Sequence, residues 1–518
     1  MLRFLRPPLF LVVIGIAALA SSPYTSAAPS STFTVVQNAD ALNLDPWNTS
    51  DNPGLGIVRA FYDRLFEFSP TMKVQETGLV ASWSVSSDGL TYTFKLRPGI
   101  KFQDGTPFNA QAVKANIDFV LNPDNHQQKY GFYHNATHLQ GATVIDTNTV
   151  ALKLSAPSAL LIFNLAHPSA GMISPAALAK YGAAAIGSHP VGTGPYIFDS
   201  WVRGNRIVGR RNPGYWRSNS AGPDEIIFRD VPDATQALAM LKTGEAQFVY
   251  PIDPVDVKAL AGQSGIQVVN RPSILTTTLS MNELHAPFNK RNVRLAMNYA
   301  VNKQALISTL YLGYAHEMHS LAGSQLAGYV PVGTYPFDLT KARQLLAESG
   351  YPNGFTATLW GLNDTFTQKE MVFLQQQLSQ VGVKVVITPM EAGVLDSSSL
   401  QGPDANKGQL ILNGFSPSNG AIQWILQALV TRASWPPVFY NLGFYNNPQV
   451  NMLLDQAGRS TSTTQRNANY KQVQEILFRD APFVWLAEPT NLWGMSTKIA
   501  NAYVLPDQTV QVQDAQMH

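Results

Sequence analysis

The chain from Leu79 to Phe108 has the sequence LVASWSVSSDGLTYTFKLRPGIKFQDGTPF, which contains the strongest local signals in the protein. Asp88-Gly89 is a tight-turn dipeptide, because glycine tolerates positive φ. From Leu90 to Leu96 apolar and polar residues alternate, so one face of a strand is apolar. Asn109 can cap a following helix with the apolar stripe Val113, Ile117 and Val120. The segment therefore predicts a β-hairpin followed by a helix.

The second half of the chain predicts a βαβ unit. Phe355–Leu359 alternates as a strand, and apolar residues recur at helical spacing from Met371 to Val381. Gly382 ends that helix, and Val383–Ile387 forms the next strand. Such a unit builds a parallel sheet, so the sequence indicates an α/β protein.

Further elements fit the same class. The apolar patterns predict strands at Phe33–Val36 and Leu410–Asn413, and helices at Ile57–Phe66, Asn292–Val301 and Lys341–Ser349. With 518 residues the chain is too long for one ordinary core, so two or more domains are expected.

The N-terminus has the pattern of a secretory signal peptide. Arg3 and Arg6 precede the apolar run Leu9–Ala20, which is too short to span a bilayer comfortably, and a small-residue segment follows with a cut near Ala28. A membrane anchor is the alternative. Without Arg3 and Arg6, 34 of the 36 Lys and Arg residues remain, which equals the 34 Asp and Glu residues. A near-neutral chain argues against a nucleic-acid partner.

Enzyme and metal motifs are not found in the sequence. The chain has no cysteine, which excludes disulfides, thiol catalysis, cysteine metal sites and lipoprotein anchoring. His316 and His319 do not have the spacing of a zinc protease, and Gly192-Thr193-Gly194 is not followed by the Lys-Ser/Thr pair of a phosphate-binding loop. We therefore predict that the protein is not an enzyme and holds no cofactor or metal.

Several stretches resemble the large periplasmic binding proteins that serve peptide and nickel ABC importers, which form family 5 of the extracellular solute-binding proteins. Besides the hairpin, they are His189–Tyr196, Arg211–Trp216, Ser280–Asn282 and Phe288–Ala300. The resemblance covers nearly the whole mature chain. It implies a type II-like periplasmic binding protein with two lobes joined by a hinge near Ser280–Asn282, plus an extra domain inserted in the N-terminal lobe.

The domain boundaries implied by this resemblance are discontinuous. Residues 1–28 are the signal peptide, and lobe I combines 29–65 with 190–279 and 487–518. Residues 66–189 form the extra domain, and 280–486 form lobe II.

Within this family the chain is most similar to the periplasmic glutathione-binding proteins. The stretches that carry this likeness are Met172–Leu178, Thr243–Phe248, Tyr351–Phe355, Gln375–Leu378 and Trp435–Pro437. The chain also departs from them. Thr277 stands where the relatives have an arginine, and Ala421-Ile422-Gln423 replaces acidic residues before Trp424.

Candidate ligand-binding residues follow from these positions, with core packing or ordinary strand composition as the alternative for each. Thr277 and Thr278 lie beside the hinge strand, and Trp360 ends a predicted strand, where ligands of α/β sheets bind. The remaining candidates are placed in the loop after Leu410–Asn413: Phe415, Ser416 and Trp424.

The resemblance predicts a monomeric periplasmic protein that captures a small peptide-like ligand by hinge closure and delivers it to an inner-membrane ABC permease. Glutathione is the first candidate, and an oligopeptide, a metal chelate or another small polar molecule is the alternative. Two other classes stay open: an exported hydrolase, and a chaperone-like or adhesive protein of the same fold.

Overall fold

A computed structural model describes residues 31–217 and 222–518. The predicted signal peptide, residues 1–28, lies outside the described residues. The α-helices are α1 (Asn52–Phe61), α2 (Ala110–Leu121), α3 (Tyr130–Thr137), α4 (Leu161–Ala166), α5 (Pro175–Ala185), α6 (Ala234–Thr243), α7 (Val257–Leu260), α8 (Arg291–Ala300), α9 (Lys303–Thr309), α10 (Leu339–Glu348), α11 (Thr365–Ser379), α12 (Ala392–Ser399), α13 (Ile422–Val430), α14 (Pro448–Arg459) and α15 (Thr463–Asp480).

The strands alternate with these helices along the chain. They are β1 (Thr32–Gln37), β2 (Glu67–Phe68), β3 (Val74–Gln75), β4 (Val80–Val85), β5 (Thr91–Leu96), β6 (Leu139–Asp146), β7 (Thr149–Leu154), β8 (Tyr196–Val202), β9 (Arg206–Arg211), β10 (Glu225–Asp230), β11 (Phe248–Tyr250), β12 (Ile266–Pro272), β13 (Thr276–Met281), β14 (Ala315–His316), β15 (Thr356–Leu362), β16 (Lys384–Met390), β17 (Leu410–Phe415), β18 (Phe483–Ser496), β19 (Ile499–Ala500), β20 (Tyr503–Val504), β21 (Val510–Gln511) and β22 (Gln516–Met517).

The main sheet has the order β16-β15-β17-β13-β18-β11-β1-β10-β9-β8, with β12 and β14 also pairing with β18. Parallel pairs occur on both sides, since β1 runs parallel to β10 and β11, and β15 runs parallel to β16 and β17. The predicted α/β class is confirmed by these pairs and the helices between them.

Strand β18 pairs with strands from both parts of the main sheet. Its first part, Phe483–Ala487, pairs antiparallel with β13, whereas its second part pairs antiparallel with β12 from Thr490 to Ser496. One 14-residue strand therefore belongs to both groups of strands.

The predicted hairpin is confirmed. Strands β4 and β5 pair antiparallel, and Gly89 in their turn has φ 73°, which L-residues other than glycine rarely adopt. They belong to a sheet of order β4-β5-β7-β6 that lies within the predicted extra domain. Asn109 caps α2 by accepting a hydrogen bond from Ala112 N, and the predicted stripe is buried: Val113, Ile117 and Val120.

The predicted βαβ unit is also confirmed. Strands β15 and β16 are parallel, α11 connects them, and Gly382 has φ 84° after the helix. The strand predicted at Phe355–Leu359 continues to Leu362, because β16 pairs with it along its whole length. Trp360 therefore lies inside the strand and not at its end.

The helix predicted at Ile57–Phe66 is displaced. Asp51 caps α1 by accepting from Gly54 N, Pro53 lies in the first turn, and Tyr62 is already extended with φ −128°. Every residue from Gly54 to Ser69 is buried, so the apolar pattern continues past the end of the helix and does not mark that end.

Five charged side chains, one of them on α1, are buried and form a group that we call the buried charge cluster: Arg59, Asp63, Arg64, Glu67 and Asp507. Arg64 forms an ion pair with Glu67, and Arg217 approaches Glu67 at 3.4 Å. Burial is the main cause that lowers the pKa of Arg59 to about 10. The stability of the protein around α1 therefore depends on pairing between the buried acidic and basic groups of this cluster.

Across residues 31–217 and 222–518, we find no helix whose length and apolarity would let it cross a membrane.

Candidate functional site

A cavity of about 680 Å³ lies between segments that are far apart in sequence. One wall comes from the start of α3 and from His167. The opposite wall comes from the end of β17, from α13 and from the segment up to Tyr440. Its volume falls in the range of sites for small ligands.

Aromatic rings form a continuous series along this cavity, which we call the aromatic chain: Phe132, Trp424, Phe439, Tyr440 and Phe415. Ring centroids of neighbours in this series are 5.0, 5.1, 4.9 and 6.3 Å apart, all edge to face. Such rings offer a large apolar surface with defined geometry.

Contacts across the cavity join its two walls. Nε2 of His167 lies 2.8 Å from Oγ of Ser418, and Nδ2 of Asn419 donates to Oδ1 of Asn164 at 2.9 Å. At Gly420 an added Cβ would lie 3.2 Å from Cε of Met72, and φ is 66°. Close approach and backbone conformation both favour glycine there.

Lys129 is a charged side chain that lines the cavity. Burial lowers its pKa to about 8, while Asp51 acts in the opposite direction. Its Nζ lies 5.7 Å from the ring centroid of Phe132. Burial also lowers the pKa of His167 well below its usual value, so this imidazole is neutral.

A hydroxyl without a partner also lines the cavity. Oγ of Ser416 is buried and has no hydrogen-bond partner among the described residues. A ligand atom could accept from it or donate to it.

Three of the six sequence-predicted site residues, Phe415, Ser416 and Trp424, come together in this cavity. Two of them were assigned to the wrong kind of segment. Phe415 is the last residue of β17, since it pairs with Thr276 of β13, and Trp424 lies in the first turn of α13. Their role in binding stays a prediction.

The other three do not line this cavity. Oγ1 of Thr277 donates to the Ala487 carbonyl at 3.0 Å, and Oγ1 of Thr278 donates to Oδ1 of Asn413 at 3.4 Å. Trp360 packs in a separate apolar cluster with Leu395 and Ile411. Both threonines are buried in β13, and a ligand contact by any of the three stays a prediction.

Sequence reasoning missed five residues that line this cavity: Lys129, Phe132, His167, Phe439 and Tyr440. The aromatic run from Tyr130 to Tyr133 was the available signal. Nδ1 of His167 accepts a hydrogen bond from Ser169 N at 3.1 Å, whereas Nε2 faces Ser418 on the opposite wall.

In the described part of the chain, no group of three or more His, Asp or Glu residues could hold a metal ion. His316, of the histidine pair noted in the sequence, lies in β14 and pairs with Glu488 of β18.

Residues 75–447 match the family of bacterial extracellular solute-binding proteins, family 5. The glutathione-binding protein GsiB of Pectobacterium atrosepticum is 40% identical over 517 residues, and the alignment covers 98% of both chains. The glutathione-binding protein GsiB of Escherichia coli K12 is 38% identical over 510 residues, again with 98% of both chains covered.

Among solved structures, the ABC transporter-associated periplasmic binding protein DppA of Helicobacter pylori, in complex with the peptide STSA, superposes with a TM-score of 0.82. It is 26% identical, and the superposition covers 94% of this chain and 98% of that one. The predicted periplasmic binding protein architecture is confirmed by this similarity.

Proposed function

The chain belongs to family 5 of the bacterial extracellular solute-binding proteins, and we propose that it captures a small peptide-like ligand in the cavity bounded by the aromatic chain and Lys129. As a member of this family it is the substrate-binding component of an ABC importer. The observation that carries the proposal is the cavity itself, whose walls come from segments far apart in sequence and touch through His167 and Ser418.

Glutathione is the first ligand to test, because the relatives that match over nearly the whole chain are glutathione-binding proteins. Its net charge is negative, and Lys129 offers a cation. Position 277 is a threonine in this chain, so it supplies no second positive charge for the ligand. Neutral donors contribute about 0.5–1.5 kcal/mol each against about 1.5–3 kcal/mol for a charged partner.

We expect titration calorimetry to detect glutathione binding with a weaker affinity than a relative that keeps the arginine. If glutathione does not bind at millimolar concentration but a peptide mixture raises the melting temperature, the ligand is another peptide. An oligopeptide, a metal chelate or another small polar molecule is the alternative ligand within the same role.

We also propose that binding closes two lobes. Lobe I would combine residues 29–65, 190–279 and 487–518, lobe II would be 280–486, and 66–189 would form an extra domain. Strand β18 supports this division, because its two parts pair with different groups of strands. The contacts of His167 and Asn164 across the cavity are those expected of a closed form.

Small-angle scattering should therefore show a monomer whose radius of gyration falls when a saturating ligand is added, since closure brings the cavity walls together. The measurement needs a ligand first identified by thermal shift. An unchanged radius at saturation would contradict closure.

We also propose that the protein is exported to the periplasm. The leader with Arg3 and Arg6 should be removed, so that the mature protein begins between Ala27 and Thr32 and is found in the periplasm. N-terminal sequencing of protein from the periplasmic fraction tests this. An intact Met1, or recovery in the membrane pellet, would refute it.

A further inference from the structure

The cavity lining is unbalanced in charge. Lys129 is its one charged side chain among the described residues, and no described Asp or Glu lines it. Two acids act on lining groups without lining the cavity themselves: Asp51 raises the pKa of Lys129, and Asp396, after burial, contributes to raising the pKa of Tyr440. The site therefore presents a positive charge and no negative one.

Lys129 has no ion-pair partner in the part of the chain that the structure describes. Asp51 is engaged elsewhere, since its carboxylate accepts from Gly54 N at 2.7 Å as the cap of α1. His167, the other titratable group close to Lys129, is neutral. A half-buried cation without an ion-pair partner favours a ligand that brings an anion.

An ammonium group of a ligand has no carboxylate partner among the described lining residues, whereas a carboxylate has Lys129. The residues before Trp424 are Ala421, Ile422 and Gln423, none of them acidic, and the amide of Gln423 donates away to the Leu454 carbonyl at 2.9 Å. Lys129 would repel an ammonium in the same space. The ring of Phe132 already has a cation 5.7 Å from its centroid, which leaves it a poor site for a second one.

The aromatic chain suits an uncharged, flat part of a ligand. Its members meet edge to face, so they present ring faces and edges to the cavity as a continuous apolar wall. Oγ of Ser416 can hydrogen-bond an amide of the ligand.

We propose that this cavity selects a carboxylic acid that carries no free ammonium group, such as an N-acylated aromatic amino acid or peptide, with the carboxylate at Nζ of Lys129 and the apolar part against the aromatic chain. This inference rests on the proposed binding function and narrows its ligand class. A free-amine peptide of the same sequence has to place an ammonium without a carboxylate partner, so it binds more weakly.

The test compares two matched mixtures by thermal shift and calorimetry: the dipeptides Phe-Ala, Tyr-Ala and Trp-Ala with free amino termini, and the same three N-acetylated. Acetylated forms should bind at least about tenfold more tightly, a difference of about 1.4 kcal/mol. Lys129→Met should remove most of the acetylated-peptide binding. Lys180→Met is the matched control, because Lys180 is exposed and does not line the cavity.

Proton uptake gives a second readout. A bound carboxylate raises the pKa of Lys129 from about 8, so binding at pH 8 takes up about half a proton, and affinity falls as the pH rises above 8. Calorimetry in buffers of different ionisation enthalpy measures the uptake. Lys129→Arg should keep binding and lose the uptake, because arginine stays protonated.

The outcomes separate this inference from the proposed function. Equal or tighter binding of the free-amine peptides, or of glutathione, overturns the inference and leaves the binding function intact. The inference also falls if neither mixture shifts the melting temperature while a peptide hydrolysate does. If none of these probes shifts it, the inference and the proposed function both fail.

Discussion

Replacement of Glu67 by glutamine should lower the free energy of unfolding by about 3–5 kcal/mol, the cost typical of removing one partner from a buried ion pair. Arg64 is fully buried and would keep its hydrogen bonds to the Tyr62 carbonyl at 3.1 Å and to Oε1 of Gln513 at 3.0 Å. Arg64 would lose the carboxylate of Glu67 as its ion-pair partner. Arg59, also fully buried, would lose one of the two carboxylates that favour its charge.

Urea denaturation of the wild type and of Glu67→Gln measures this effect. The control is Asp455→Asn, which removes an exposed ion pair with Arg459 at 2.9 Å and should cost less than about 1 kcal/mol. A Glu67→Gln variant as stable as this control would show that the buried charge cluster does not depend on Glu67.

Glu67 also makes the free energy of unfolding depend on pH. Burial alone would raise the pKa of Glu67, but Arg64 and Arg217 outweigh it, so the pKa lies below its usual 4.5. A lowered folded-state pKa means that the stabilisation is complete above about pH 4.5 and is lost as the pH falls through the folded-state value. Glu67→Gln should flatten this part of the acid denaturation curve.

Trp424→Ala should weaken ligand binding by about 30-fold or more, equivalent to about 2 kcal/mol, the loss expected when a central aromatic contact is removed. Trp424 lines the wall formed by α13, and its ring lies 5.0 Å from that of Phe132 on the opposite wall and 5.1 Å from that of Phe439 on its own wall. Its removal breaks the aromatic chain and one contact between the walls.

Calorimetry should use whichever probe raises the wild-type melting temperature. Trp83→Ala is the control, because Trp83 is 37% exposed on β4 and does not line the cavity. Unchanged affinity in Trp424→Ala would exclude this cavity as the binding site.

Local elements were predictable from the sequence because their signals are local. The turn at Gly89, the cap at Asn109 and the helix end at Gly382 each depend on a few neighbouring residues. The end of α1 was not predictable, since buried residues continue from Gly54 to Ser69 and burial itself does not distinguish helix from extended chain.

The sequence predicted only one wall of the cavity, because the residues of the other wall are distant from it in sequence. Phe415, Ser416 and Trp424 are neighbours in sequence, so one resemblance located them together. Lys129 and His167 reach them only through the tertiary fold, and no periodicity or spacing connects segments so far apart. The charge on Lys129 is the property that narrows the ligand class, and it became visible only when its surroundings were known.

The dual pairing of β18 has a consequence for biosynthesis. Ribosomes make this strand near the end of the chain, after every strand with which it pairs. A nascent chain that stops before Phe483 leaves β12 and β13 without their shared neighbour. The shared pairing can be completed only after Ser496 has been synthesised, so the full main sheet forms late in translation.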